Sequence, residues 1–437
     1  MKLTYCNFIL PLKEAVNALG RRGLPIHEPT RKELFARVSS EAATLQADIN
    51  SAVGYHLNVS SGDVNHFLFN DLLLKRPRKF GPAKTKDQAD EEVLKALYAT
   101  YGLDILLLIL ELRSKDKIIS TYLDPAKFLP TSPTWSKFLC QYKIATKTLR
   151  LSSAATNSGL GGNFQNIPKR KGKYIRNMVT APEGKLILAA DLSRAEVWST
   201  GVAAGAAGLL DLLRKGVDIH KFNGDNIYAG LSSDLQAKLD LLSEEKEQDM
   251  ARVLGKTLAH AWDYGASIHR TVETASTVLG IKLTKDQAIA AKEAYFAKIP
   301  ELKAWHEQII LNLYTTGEIT TRYGTSRRIY ETLPEYGQHT GNEKVFHEYF
   351  AQEPQSTVGI YTNLILLRCD YMGLKAGREL RAQIHDELLF IINEDDVDKT
   401  VKIIQEANSY PIPGTEVIIP MDIEVGKQWG KLKKLGE

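Results

Sequence analysis

A mixed α+β protein, with helices segregated from an antiparallel sheet, is what this sequence predicts, and three observations carry that expectation. Residues from about 10 to 125 follow a mostly helical apolar pattern, interrupted by a basic, Gly/Pro-bearing loop from Lys75 to Lys84. From about 140 to 204 the pattern turns β-rich, and it includes the near-continuous apolar run Lys185-Leu-Ile-Leu-Ala-Ala-Asp191 of a buried strand. A second helical stretch runs to about 350, after which Leu380 to Ile392 is β-rich on both sides of His385-Asp386 and reads as a hairpin. At 437 residues the chain exceeds one typical hydrophobic core, so several subdomains are expected. No repeats or low-complexity tracts stand out.

The strand at Lys185 ends abruptly in Asp191, followed by a predicted helix start at Ser193, and the hairpin presents Asp386 at its tip. If the two strands are neighbours, Asp191 and Asp386 can share a pair of Mg²⁺ ions about 3.5–4 Å apart, the arrangement that activates a 3′-hydroxyl and neutralises a leaving pyrophosphate. Hard oxygen ligands suit that metal. The bland alternative makes Asp191 a helix cap and Asp386 a turn residue. Three adjacent polar groups, His385, Asp386 and Glu387, between apolar strands nevertheless need partners or a task.

Between the two carboxylates, Ser243 to Tyr264 reads as one helix, with Ser243 as N-cap, Glu244 and Glu245 at its positive end and Gly265 at its stop. Arg252, Lys256, His260 and Tyr264 recur every fourth residue and fall on one slowly drifting stripe, with Val253, Leu254 and Leu258 on the other side. Arg as a fork and Lys as a point charge suit a polyphosphate. An ordinary solvated charged face is the competing reading.

These three segments, in this order, resemble motifs A, B and C of family A DNA polymerases, the bacterial polymerase I type, and the similarity extends over nearly the whole chain. Thr148-Leu-Arg-Leu-Ser-Ser153, Asn163-Phe-Gln-Asn-Ile-Pro168 and the closing Pro420-Met-Asp-Ile-Glu-Val-Gly426 with Trp429 match further stretches of that family. The resemblance implies a right-hand architecture with an antiparallel β palm, a helical thumb and helical fingers. It places a palm edge and thumb at 1–130, palm at 131–204, fingers at 205–350 and the returning palm at 351–437. It implies metal binding by Asp191, Asp386 and the Leu192 backbone carbonyl, and a grip on the incoming deoxynucleoside triphosphate by Arg252, Lys256 and His220, with His260 and Tyr264 at the insertion site. It implies contacts to primer-template DNA from Arg150, Gln355, Gln165, Asn166, His385 and, from the thumb, Lys117. Minor-groove acceptors lie at equivalent places in every Watson–Crick pair, so Arg or Gln donors test pair geometry there without reading sequence. Glu196 has two readings: the acid of a Ser193-x-x-Glu196 capping box, and the family's block against a ribose 2′-hydroxyl. Where the family has Phe at the His260 position dideoxynucleotides are rejected, and where it has Tyr they are accepted. The chain departs from the family pattern at His260, Ala261, Arg194, Trp198, His347 and Ala351.

With 56 basic and 52 acidic residues the net charge is only +4, so DNA binding depends on local patches, for which Lys169 to Lys173 with Arg176, and Lys75 to Lys79, are candidates beside a plain solvated-loop reading. Cys6, Cys140 and Cys369 show no metal-ligand spacing and suit a reducing compartment, a bacterial or phage-infected cytoplasm with an organelle as the alternative. No signal peptide opens the chain, and the apolar run Leu103 to Leu110 is too short to span a bilayer and reads as a buried helix. Asp90-Glu-Glu92 has an exonuclease-like spacing but no preceding apolar strand, so it reads as a solvated face. The expectation is a monomeric polymerase without its own proofreading, served by a separate proofreading or processivity subunit if by any. A metal-dependent nuclease has no use for a triphosphate-gripping helix, and a non-catalytic DNA binder has no use for both aspartates.

Overall fold

The computed structural model describes residues 3–59, 62–76, 89–144, 146–169, 172–276, 280–337 and 344–435. Helix α1 (Leu10–Arg22) turns into strand β1 (Leu24–His27), and α2 (Glu28–Val53) follows. Gly23 makes that reversal at φ +65°, where a Cβ would lie 2.5 Å from the Phe138 carbonyl. Only glycine fits such a position. Helices α3 (Asp63–His66), α4 (Glu91–Tyr101) and α5 (Asp104–Ile118) complete an N-terminal helical region whose core, from Ala42 to Leu112, is separate from the main one. Asp90 caps α4 by accepting from the Val93 amide at 3.0 Å, and Glu91 pairs with Lys95, so the Asp-x-Glu spacing is a helix start. The Leu103 to Leu110 run is buried on one side only: Leu106 and Ile109 are inaccessible, while Leu107 is 42% exposed. Most of the basic loop from Lys75 to Lys84 lies outside the described residues.

Strands β2 (Phe128–Ser132) and β3 (Trp135–Phe138) join β1 in a sheet of order β1-β3-β2, and β4 (Gln141–Lys143) pairs with β5 (Ser152–Ala154). The predicted β-rich stretch is thus sparser than expected, because only β6 (Lys185–Leu192) follows before the helices resume. Helices α6 (Ala195–Ala204), α7 (Ala207–Arg214), α8 (Ile219–Ala229), α9 (Ser233–Lys246), α10 (Met250–Asp263), α11 (Ile268–Thr274), α12 (Lys285–Lys298) and α13 (Pro300–Thr315) lead to a hairpin of β7 (Glu318–Thr320) and β8 (Ser326–Arg328). Then come α14 (Lys344–Phe350), the buried α15 (Gln352–Tyr371), β9 (Leu380–Ile384), β10 (Glu387–Asn393), α16 (Val397–Ala407), β11 (Met421–Gly426) and β12 (Lys433–Lys434).

The single helix expected from Ser243 to Tyr264 is two. Glu247 adopts φ +48° and ends α9, and Asp249 caps α10 by accepting from the Arg252 amide at 2.9 Å. The Ser243 hydroxyl accepts from the Met250 amide at 3.1 Å and so braces the junction rather than starting a helix. Gly265, at φ +79°, does follow the end of α10.

Five strands form one antiparallel sheet of order β12-β11-β6-β10-β9, with β6 at its centre. Ile187, Leu188 and Ala190 of β6 and Leu388, Leu389 and Phe390 of β10 are fully buried. A strand flanked by two others has every backbone group paired, and its carboxylate end is therefore held firmly.

Candidate active site

The β9–β10 hairpin turns through His385-Asp386, with His385 at φ +59°. The Asp386 carbonyl accepts from the Leu192 amide at 3.1 Å, and Asp191 faces Glu387 across the β6–β10 pair. Strand-end Asp191 and tip Asp386 are thereby brought together, as the neighbouring-strand condition required. Burial, reinforced by the Asp191 charge, pushes the Asp386 carboxyl up to about 6. Asp191 Oδ1 is buried with no hydrogen-bond partner. Two hard carboxylates whose charges oppose each other, one with an orphaned oxygen, fit a divalent cation such as Mg²⁺.

Neighbours that sequence reasoning did not link to the aspartates complete this end of the sheet. Lys169 Nζ lies 2.8 Å from Asp191 Oδ2; burial lowers its pKa, but the bond to Asp191 and the charges of Asp191, Glu387 and Asp386 leave it raised. Glu387 is buried and receives the Trp429 indole N–H at 2.8 Å, with Arg176 at 3.6 Å. Burial raises the Glu387 carboxyl against the pull of Arg176 and Lys169. Arg176 is 5% exposed and its guanidinium sits 3.9 Å from the Trp429 ring centroid. The candidate patch of Lys169 to Lys173 with Arg176 is therefore not a free basic surface at its described ends: Lys169 serves an aspartate and Arg176 is core. The chain had these residues in plain view, but nothing local in it pairs them with carboxylates elsewhere.

Opposite the sheet end stands α10. Gly224 of α8 and Gly255 of α10 let the two helices touch backbone to backbone, since a Cβ on Gly255 would lie 2.3 Å from the Gly224 nitrogen. That contact sets His220 beside Lys256 and Arg252, and burial followed by those two charges lowers the His220 pKa. Asp218 caps α8 and also accepts from Arg252 Nε at 2.7 Å, which fixes the guanidinium. A cavity of about 360 Å³ separates α10 from the sheet, and Glu196, His220, Lys256, His260, Asp263 and Asp386 are among its walls. Tyr264 lies just past the helical residues as the C-cap, its ring edge-on to His260 at 4.9 Å.

Glu196 does not form the capping box. Arg194, at φ +54°, occupies the N-cap of α6 with no side-chain cap bond, so the cap falls one residue after the expected Ser193 and the helix begins at Ala195. The Glu196 carboxylate instead accepts from Arg150 Nη2 at 2.5 Å and lies 3.2 Å from His260 Nε2. It ties the sheet region to α10.

The remaining expected residues are dispersed. Gln165 is buried, donating to the Gln383 carbonyl at 3.0 Å and accepting from the His385 amide at 2.5 Å, while His385 Nε2 donates to the Gln165 carbonyl at 2.8 Å. It secures the hairpin turn. The Asn166 side chain is exposed, and its carbonyl accepts from Tyr122. Gln355 on α15 lies beside Tyr264, whose hydroxyl is pushed up by burial and by Glu196. Lys117 is exposed on α5 near Glu91, away from this cavity.

Asp263, in the cavity wall, is pushed up to about 7 by burial and accepts from Tyr295 Oη at 2.6 Å. Because its folded pKa exceeds the unfolded value, its contribution to stability is complete below about pH 4 and is lost as pH rises to 7. Asp263→Asn keeps an acceptor without that cost. The variant is expected to be more stable by on the order of 2 kcal/mol at pH 8, with the gain vanishing near pH 4 in thermal melts; a gain equal at both pH values would contradict a neutral buried Asp263.

Residues 28–431 match the model of DNA polymerase family A. The chain is 28% identical over 432 residues to a thermostable DNA polymerase I of Thermus filiformis, covering 97% of this chain and 48% of that one. It is 26% identical over 439 residues to a DNA polymerase I of Chloroflexus aurantiacus, covering 99% and 43%. The chain thus spans about half the length of the curated relatives it matches. Its fold resembles the solved POL domain of Pol1 from M. smegmatis in complex with DNA primer-template and dNTP, with a TM-score of 0.78 at 19% identity, covering 97% of this chain and 70% of that one. That likeness establishes the right-hand architecture.

Proposed function

The chain belongs to DNA polymerase family A, and from that premise we propose that it is a template-directed DNA polymerase that adds deoxynucleotides from their triphosphates to a primer 3′-hydroxyl. The observation that carries this reading is the convergence of Asp191 and Asp386 at one sheet end, with Asp386 lining a cavity that Lys256 and His260 also line. Residues 1–130 are read as palm edge and thumb, 131–204 and 351–437 as palm, and 205–350 as fingers.

Asp191 and Asp386, with the Leu192 carbonyl, would hold two Mg²⁺ ions, which when bound activate the 3′-hydroxyl and neutralise the departing pyrophosphate. Lys256 and Arg252 grip the triphosphate, Arg252 oriented by Asp218, and His220, its charged form disfavoured, donates or accepts as a neutral ring. Lys169 holds Asp191 until the cation arrives. Arg150, Gln355 and His385 face the primer terminus, and Gln165 acts on DNA through the turn it secures. The working compartment is one that keeps thiols reduced, in keeping with free Cys6, Cys140 and Cys369, and no described helix is long and apolar enough to cross a membrane.

Extension of a labelled primer on a template, with Mg²⁺ and four deoxynucleotides, tests the reading. Degradation of the same DNA without nucleotides, and no extension with them, would favour a nuclease instead.

His260 supplies a finer expectation. Its imidazole N–H can donate toward the triphosphate in place of a missing 3′-hydroxyl, so the protein is expected to accept dideoxynucleotides readily, and His260→Phe to raise discrimination against them about tenfold. In the structure that N–H edge faces Glu196, and it must turn to the nucleotide on binding. A ratio of dideoxy to deoxy incorporation that is already low, and unmoved by the Phe replacement, would remove His260 from the nucleotide.

A further inference from the structure

The five-stranded sheet has a second chemically distinctive end. Lys185 opens β6 six residues before Asp191, which at about 3.3 Å per residue puts it about 20 Å from the paired aspartates. There a cavity of about 290 Å³ is enclosed by the start of β9, the end of β10, α16 and the turn after α15. Its floor is apolar, from Leu374, Ile391 and Ile403, but its walls are cationic.

The cations are unequally engaged. Arg378 is paired with Glu379, and Lys185 donates to the Asn393 amide oxygen, whose nitrogen in turn donates to Asp396. Of the two carboxylates in the wall, Glu379 is thus neutralised by Arg378, while Asp396 accepts only from the Asn393 amide and keeps its charge. Arg22, Lys185, Lys399 and Arg381 are left without a carboxylate partner among the described residues. Arg381 is the telling one. It is 7% exposed, and its Nε and Nη2 share one backbone carbonyl, that of Gly23, at 3.3 and 2.9 Å. Burial, with the like charge of Arg22 beside it, lowers its pKa to about 10. A largely buried guanidinium whose Nε and Nη2 share one acceptor, with a like charge beside it, keeps donor capacity that an anion in the hollow can take up. The first turn of α16 contributes Lys399 and Thr400 to the wall, but it also carries Asp396 and Asp398, so the positive charge of the hollow comes from its side-chain cations rather than from the helix end.

We propose that this cavity, remote from the paired aspartates, is a binding site for a compact phosphorylated ligand, with a diphosphate or comparable group held between Arg22, Arg381 and Lys399. Planar guanidinium forks suit phosphate oxygens bidentately, and the apolar floor receives a small organic remainder. The volume admits such a group and excludes a nucleic-acid duplex. The site is independent of the polymerase reading.

Inorganic pyrophosphate is the probe, titrated calorimetrically into the full chain in EDTA. The Arg252→Ala, Lys256→Ala background removes the triphosphate grip from the measurement. One saturable site is expected to remain, weakened at least about tenfold when the solvent-exposed Arg22→Ala and Lys399→Ala changes are added. Those two side chains are at helix ends and exposed, so folding should survive, which unchanged melting of the variant checks. Absence of saturation below about 10 mM, or equal affinity with and without Arg22 and Lys399, would overturn the site. Displacement of pyrophosphate by a single-stranded oligonucleotide lacking terminal phosphates would also overturn it, by revealing a strand-binding surface instead.

Discussion

Asp191→Asn and Asp386→Asn are each expected to slow primer extension by about a thousandfold or more while changing primer-template affinity by less than about threefold. Asparagine preserves the shape and one acceptor oxygen, so the β6–β10 pairing and the hairpin survive. What disappears is the paired negative charge that a divalent cation answers. Phosphoryl transfer leaves little covalent work to the protein, and most of the acceleration comes from positioning and electrostatic stabilisation of the transferring group. Removing one carboxylate therefore acts on the transition state far more than on DNA binding, which rests on other residues. A pH experiment separates this account from simple misfolding. The Asp386 carboxyl is pushed up to about 6 by burial and by Asp191, so protons compete with the cation there as pH falls through that value. The Mg²⁺ concentration giving half-maximal extension should rise about twofold or more from pH 8 to pH 6 in the native protein. Retention of more than about a tenth of the native rate in either variant would remove the paired-carboxylate assignment.

The parts of this site that were legible in the sequence were those encoded by local pattern. An apolar run stopped by Asp191, and two apolar strands broken by His385-Asp386, state their own geometry, and the sheet then places them side by side. The four-residue recurrence of Arg252, Lys256 and His260 likewise survives on α10, although that helix is shorter than its polar pattern implied. Asp249 carried an N-cap signal directly before Met250, which the more N-terminal Ser243 obscured. Other features depend on chain segments that meet only in three dimensions. Lys169 on Asp191, Trp429 and Arg176 on Glu387, and Gln165 under His385 join residues far apart in sequence. Arg194 in a left-handed conformation has no sequence signal of the glycine or asparagine kind, and it displaced the cap from Ser193. The second cationic cavity was invisible for the same reason, since Arg22, Arg381 and Lys399 belong to α1, β9 and α16.

Glu196→Ala is expected to raise ribonucleotide incorporation relative to deoxyribonucleotide by at least about tenfold, equivalent to about 1.4 kcal/mol of lost discrimination. The structure favours this over a capping role because the carboxylate spans from Arg150 to His260 and makes no bond to the start of α6. A side chain anchored at both oxygens is a fixed obstacle, and a fixed obstacle at the sugar discriminates by clash and by a polar group left unpaired. Loss of the partly buried pair with Arg150 should cost about 1 kcal/mol of stability, a small change beside the change in selectivity. Glu196→Gln tells shape from charge. It retains the bulk and an acceptor for Arg150 but loses the charge that faces His260, so if exclusion is steric it should keep most of the native discrimination while Ala loses it. Equal relaxation in both variants would mean that the charge positions His260 and that selectivity arises indirectly. An unchanged ratio in Glu196→Ala, with incorporation otherwise intact, would place the 2′-hydroxyl block on another residue altogether.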